Sequence, residues 1–311
     1  MSRLSGALGS QGACKAMIGA AALVWGVSFV VLKGVTEVLP TYFTLFVRFV
    51  PAALILLVAF RRRFLANLDA ATVHYGVLLG VANFVAYALQ TVGLTMTTPG
   101  KNAFITSSYC VLVPFCAWLL GMGRPQRNHV AAALVCMVGL GLVGLDGGLP
   151  LNAGDVLTLG GAVCYAGMYA GIAKWGPGRD AMAVTVWELA VSGALSLGAT
   201  LALEPAPAPA DFTPQVVAGV AMLSVLCSAL AFAGVNYAFT KVDPAEGALL
   251  SSLESPIGAI TSVLVGAEVL TGRSLAGFVL IFAAVLWSQV GPALVGRAGA
   301  ARARGDAGGG R

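Results

Sequence analysis

Residues Thr98–Gly121 read TPGKNAFITSSYCVLVPFCAWLLG, and residues Asp243–Gly266 read DPAEGALLSSLESPIGAITSVLVG. Each opens with a turn, carries small and hydroxyl residues in its first half, and continues as an apolar span. Pro99 matches Pro244, Ala103 matches Ala248, Thr106 and Ser107 match Ser251 and Ser252, and Gly121 matches Gly266. The offset is constant, so one unit occurs twice. The second copy places Glu254 where the first has Tyr109. A carboxyl group inside an apolar span is costly, which marks Glu254 as a candidate functional position.

The spans dominate the chain. Of its 311 residues 58% are hydrophobic and 10% charged, and its mean hydropathy is +0.88. Soluble domains carry about 25% charged residues. No soluble core absorbs so much apolar surface, so the composition predicts an all-α integral membrane protein. The formal charge of +5 does not point to nucleic acid, because Lys and Arg fall in short clusters between apolar spans. The partners it implies are the lipid bilayer and a small molecule. Six cysteines lack metal-ligand or disulfide-framework spacing, no phosphate-binding loop occurs, and no cofactor or metal is expected. The first apolar span follows Lys15 but is too long for the apolar region of a signal peptide.

About ten spans are predicted, at 17–38, 42–60, 74–96, 101–121, 129–146, 155–174, 181–203, 214–238, 245–267 and 274–295. They divide the chain into an N-terminal tail (1–15), a first five-helix repeat (16–148), a second (149–296) and a Gly-, Ala- and Arg-rich tail (297–311). Basic residues concentrate on one side, at Arg61–Arg63, Arg124, Lys174 and Lys241 among others, with Lys33, Lys101 and Arg273 opposite. That excess predicts cytoplasmic termini. An odd number of spans per repeat inserts the second copy upside down, giving two inverted repeats with a site near the bilayer midplane. The same relation sets Trp25 against Tyr165, Arg48 against Glu188, Asn83 against Ser228 and Tyr87 against Phe232.

The segments LVWGVSFVVLK, FVRF and TTPGKNAFITSSYCVLVPFCAWLLG, followed by the second copy, resemble the EamA-type branch of the drug/metabolite transporter superfamily. The resemblance runs from about Lys15 to Gly296. It implies a multi-pass carrier of the plasma or bacterial inner membrane, in a group with many exporters of amino acids, nucleosides or other small metabolites. The family's closing Leu-Gly-Glu is only partly kept: Gly121 is followed by Met122 and Gly123 with no acid, while Gly266-Ala267-Glu268 keeps the acid, and Glu268 reads as an end-of-helix feature.

Helical spacing groups the polar residues of the spans into faces: Trp25 and Ser28; Asn83, Tyr87 and Gln90; Asn102, Thr106 and Tyr109; Tyr165 and Tyr169; Ser228, Phe232 and Asn236; Ser251 and Glu254. Lipid satisfies none of these groups, so the faces turn inward, either as a substrate cavity or as helix–helix glue. Arg48, Glu188 and Glu254 lie deep. Arg48 and Glu188 either pair across the pseudo-two-fold or bond locally. Glu254 either carries a proton for coupling, binds a cationic substrate group, or is structural. Lys101 and Glu246 stand at matching span starts, as charges at a gate or as residues snorkelling to water. The Gly76/Gly80 and Gly167/Gly171 pairs permit close helix contact, and the fifth and tenth spans, poor in polar residues, are candidates for a homodimer face. The expected function is a secondary transporter exporting a small amino acid, aromatic compound or drug-like molecule by alternating access, the halves rocking about the cavity. A passive channel is the main rival, ahead of an intramembrane enzyme or a structural membrane protein.

Overall fold

The structure, a computed structural model, describes residues 10–144, 152–267, 269, 271–273, 275–277, 279–281, 283, 284 and 287. Nine long helices follow one another in the described chain. They are α1 (Gln11–Thr36), α2 (Thr41–Ala59), α3 (Ala70–Thr95), α4 (Pro99–Leu119), α5 (Arg127–Gly144), α6 (Ala153–Trp175), α7 (Ala181–Leu203), α8 (Pro214–Phe239) and α9 (Pro244–Leu264). All except α5 are counted among eight described helices long and apolar enough to cross a membrane. The predicted tenth span, the tails, Glu268 and the boundary at 148/149 lie wholly or largely outside the described residues.

The helix ends follow from local chemistry. Pro99, Pro214 and Pro244 open α4, α8 and α9, where a missing N–H costs nothing. The Thr98 hydroxyl accepts the N–H of Lys101, and the Asp243 carboxylate accepts those of Ala245 and Glu246. Asn152 and Asp155 close a reciprocal capping box at the start of α6.

The two related stretches take the same local path. α4 is interrupted between Ser107 and Tyr109, and α9 between Ser251 and Glu254. Pro256 explains the weakness in α9, since it cannot donate to the carbonyl four residues before it, that of Ser252, whereas the carbonyl Pro114 cannot serve is that of Cys110, past the break in α4. The Ser252 carbonyl accepts the Ser255 N–H instead, at 3.1 Å. Both helices then end on a left-handed glycine, Gly121 at φ 78° and Gly266 at φ 77°. There the Met122 N–H reaches the Ala117 carbonyl and the Ala267 N–H reaches that of Ser262, at 3.0 and 2.9 Å.

Burial is inverted relative to a soluble protein. Asn83, Asn102, Glu188, Ser192 and Ser228 are fully enclosed, while Val58, Leu119, Leu201 and Leu264 are largely exposed. Such a surface belongs in hydrocarbon, so the chain is a multi-pass membrane protein. The sequence halves interleave: α3 packs chiefly on α6 and α7, α2 on α7, and α1 on α8 and α9. Gly76 and Gly80 set the α3–α7 approach, because a Cβ on Gly80 would lie 2.8 Å from the Glu188 carbonyl oxygen. The Gly167/Gly171 pair is no such contact: Gly167 faces open space, and Gly171 meets only the Trp175 ring of its own helix. GxxxG spacing puts two glycines on one face but brings no partner to it.

Candidate functional site

Seven helices, α1–α4 and α6–α8, together with Glu254 of α9, surround a central cavity. Trp25, Tyr87, Tyr109, Tyr165, Tyr169 and Phe232 give it an aromatic wall, and Arg48, Glu188 and Glu254 give it three ionisable groups. The rings meet edge to face, with Tyr87–Tyr165 centroids 5.4 Å apart and Tyr109–Tyr169 centroids 5.2 Å apart. About 40 Å³ of the space admits the centres of water molecules, room for a few waters.

Residues Tyr109 and Glu254, equivalent in the two stretches, touch. The Tyr109 hydroxyl donates to Glu254 Oε1 at 3.0 Å, and the Ser107 hydroxyl lies 3.4 Å from the same atom. The helix breaks sit beside this contact, in α4 and α9 alike.

Arg48 and Glu188 do not pair. Arg48 Nε donates to the Ser228 hydroxyl at 2.8 Å, and its second nitrogen donates to Tyr87 at 3.3 Å. The guanidinium lies 4.6 Å from the Tyr87 ring centroid. Glu188 Oε2 accepts from Asn236. Of the two explanations that the sequence left open, local bonding is the one realised. Equivalence between repeats gives a relation between positions, not a distance between side chains.

Ser228 can hold Arg48 because α8 loosens there. Residues Val225–Leu230 take the wider π-helical spacing, and the Ser228 hydroxyl donates five residues back, to the Leu223 carbonyl, at 2.9 Å. The Cys227 carbonyl in that segment accepts the Trp25 indole N–H at 2.8 Å. The segment therefore fixes Trp25 and, through Ser228, Arg48.

At one end of the bundle, polar layers separate the cavity from a vestibule of about 410 Å³ lined by Lys33, Thr95–Thr98, Lys101 and Asn152. Beneath it Lys101 Nζ donates to Asp155 Oδ2 at 2.8 Å, both side chains 2% exposed. Next, Asn102 donates to Thr158 at 2.8 Å and to the Gln90 carbonyl at 3.2 Å. Gln90 then donates to Thr106 at 3.1 Å and accepts from Tyr165 at 2.8 Å. At the other end, Lys15 of α1 pairs with Glu246 of α9, partly exposed. Lys15 precedes Lys33 by eighteen helical residues, about 27 Å at 1.5 Å per residue.

The EamA-like transporter family model matches residues 13–145 and again 152–289. The chain belongs to that family. Two relatives from Archaeoglobus fulgidus, each described as an uncharacterized transporter, are 28% identical over 85% of this chain and 82% of theirs, and 26% identical over 71% and 78%. A solved crystal structure superposes with a TM-score of 0.73 at 16% identity, covering 90% of this chain and 98% of that one, which shows the shared fold.

In this EamA-like transporter most residues singled out from sequence line the cavity: Trp25, Ser28, Asn83, Tyr87, Gln90, Thr106, Tyr109, Tyr165, Tyr169, Phe232, Asn236 and Glu254, with Arg48 and Glu188. Asn102, Ser228 and Ser251 are buried off its wall. Asn102 sits one layer out, and Ser228 turns to Arg48. Phe29, Leu32, Met168, Ile172 and Val235 line the cavity without having been singled out. Three-, four- and seven-residue steps from Trp25, Ser28, Tyr165 and Phe232 reach all five. Lys101, at the floor of the vestibule, does not snorkel outward but is buried on Asp155, a residue that the sequence reading passed over.

Proposed function

We propose that the protein is a secondary transporter that moves a small amphipathic metabolite outward by alternating access. The observation that carries this reading is the enclosed cavity, aromatic and charged, at the centre of a membrane-spanning bundle. The Lys101–Asp155 pair is buried toward one end of the bundle and the partly exposed Lys15–Glu246 pair stands at the other, and each joins the first half of the sequence to the second. A passive channel needs a continuous wet path, and the layers from Lys101 to Gln90 interrupt one.

In the proposed arrangement two inverted five-helix repeats, ten spans in all, place both termini in the cytoplasm of the cell membrane that holds them. The Lys101 end then faces outward. The interleaved packing supports moving bodies that mix the halves, α3, α4 and α6 against α1, α8 and α9, rather than one half rocking on the other. Glu254 is the proton-coupling position in this reading, as a cavity-lining carboxyl group at the break in α9.

The test begins with a thermal-shift screen of amino acids, aromatic compounds and drug-like molecules on detergent-purified protein, since a ligand of the folded state raises its stability. A hit is then loaded into proteoliposomes. Counterflow exchange supports a carrier, whereas flux without exchange identifies a channel. Glu254→Gln exchange at the wild-type rate with an unchanged pH profile removes Glu254 from coupling.

A further inference from the structure

Among the described residues lining the cavity, Glu188 and Asn83 alone carry buried oxygen atoms without a hydrogen-bond donor. Both side chains are 0% exposed. Glu188 Oε1 is unpaired while Oε2 accepts from Asn236. Asn83 Oδ1 is unpaired while Nδ2 donates to Ser192 at 2.9 Å.

The surrounding network fixes these orientations. The Ser192 hydroxyl lies 2.9 Å from the Gly80 carbonyl and 2.7 Å from that of Glu188, so its proton is committed to backbone oxygen. Toward Asn83 it can only accept, which turns the amide nitrogen to Ser192 and leaves the oxygen unmatched. The Thr185 hydroxyl donates to the Ala181 carbonyl, so toward Asn236 it likewise accepts. The Asn236 amide nitrogen therefore faces both Thr185 and Glu188. A buried acceptor without a donor is unfavourable until something supplies one.

The wall also selects the sign of that donor. Two carboxyl groups, Glu188 and Glu254, face the cavity with one guanidinium, Arg48. Arg48 is engaged with Ser228 and Tyr87, and Glu254 Oε1 accepts from Tyr109. The unmet demand is for N–H donors at Glu188 and Asn83, in a cavity whose wall also carries the rings of Tyr87, Tyr165 and Phe232. A metal ion is a poor match, because hard cations take six or more oxygen ligands and no metal-binding cluster occurs among the described residues.

We propose that Glu188 and Asn83 anchor the ammonium group of a substrate whose remaining body is apolar or aromatic. An ammonium group brings three donors and a positive charge, and aromatic faces favour the cation. Glu188 supplies the charge partner and Asn83 a neutral acceptor from the facing helix. The close packing of Gly76 and Gly80 on α7 holds the helix that carries Asn83 against the helix that carries Glu188. The inference rests on the transporter reading and names the class of substrate for its cavity.

The experiment measures binding rather than transport, so the two readings fail separately. Titration calorimetry on the detergent-purified full chain compares 2-phenylethylamine with 3-phenylpropanoate, equal in ring but opposite in charge. The amine is expected to bind at least tenfold tighter. Glu188→Gln and Asn83→Ala are each expected to weaken the amine at least tenfold and to leave the carboxylate no weaker. Equal affinities in the wild type, tighter binding of the carboxylate, or no binding of either probe at millimolar concentration overturns the proposal. So does amine binding unchanged in both variants. Should Glu188→Gln fail to fold, the wild-type comparison and Asn83→Ala still decide. Counterflow of another compound in proteoliposomes made from the same purified protein upholds the carrier reading whatever the amine does.

Discussion

Removing Lys101 strands a carboxylate. Asp155 is 2% exposed, its Oδ2 accepts from Lys101 Nζ at 2.8 Å and from the Asn152 N–H at 2.8 Å, and its Oδ1 has no donor. Breaking a buried pair by deleting one partner costs about 3–5 kcal/mol, because an uncompensated charge remains. At roughly 2–4 °C per kcal/mol, Lys101→Met should lower the melting temperature by on the order of 10 °C. Asp155→Asn removes the carboxylate charge that faces Lys101 Nζ at 2.8 Å and should also destabilise. The double variant removes both charges and should recover most of the loss, since a neutral replacement of a buried pair is often near neutral. The assay is thermal unfolding of detergent-purified protein followed by tryptophan fluorescence, arranged as a double-mutant cycle. A coupling of at least about 1 kcal/mol is expected for a pair in contact. Additive effects of the two substitutions, or single variants that melt with the wild type, would refute the claim that Lys101 and Asp155 close the vestibule as a buried pair.

Gly80→Ala should destabilise by about 1–3 kcal/mol through overpacking against Val191 and the Glu188 carbonyl. Gly167→Ala, with open space at that position, should be neutral or stabilising by up to about 1 kcal/mol in the same melting assay. Tyr109→Phe leaves Glu254 Oε1 with only the longer Ser107 contact and should lower stability by about 1–3 kcal/mol. A change under about 0.5 kcal/mol would show that the contact contributes nothing. Gly266→Ala forces a side chain into φ 77° and should cost about 1 kcal/mol, checked by the melting temperature against the wild type.

Much of the membrane architecture could be read because its signals are local. Apolar length gives the spans, Pro99 and Pro244 their starts, and Gly121 and Gly266 their ends. The cavity residues were legible for a similar reason: a polar or aromatic face in a lipid-soluble helix has only one way to turn. The remainder depends on which helix faces which. Asp155 reads from sequence as a capping-box residue, and nothing local reveals that Lys101 reaches it. Arg48 and Glu188 correspond by repeat, yet each is held by a hydroxyl or amide from α8. The π segment is equally hidden. Trp25 and Arg48 draw on Cys227 and Ser228 within it, and neither contact is visible in VLCSAL itself.

The two terminal ion pairs also bear on how such a chain could have arisen. Under the proposed inversion Lys101 corresponds to Glu246, and Lys15, ten residues before Trp25, corresponds to Asp155, ten before Tyr165. Both pairs thus take their cation from the first half and their anion from the second. Two copies of the first half brought together would set Lys101 against Lys15, and two copies of the second would set Glu246 against Asp155. Each half is therefore electrically barred from assembling with itself and suited to its counterpart. A descendant of a self-pairing ancestor that acquired these charges would have been bound to keep both halves, in one chain or as two that must meet.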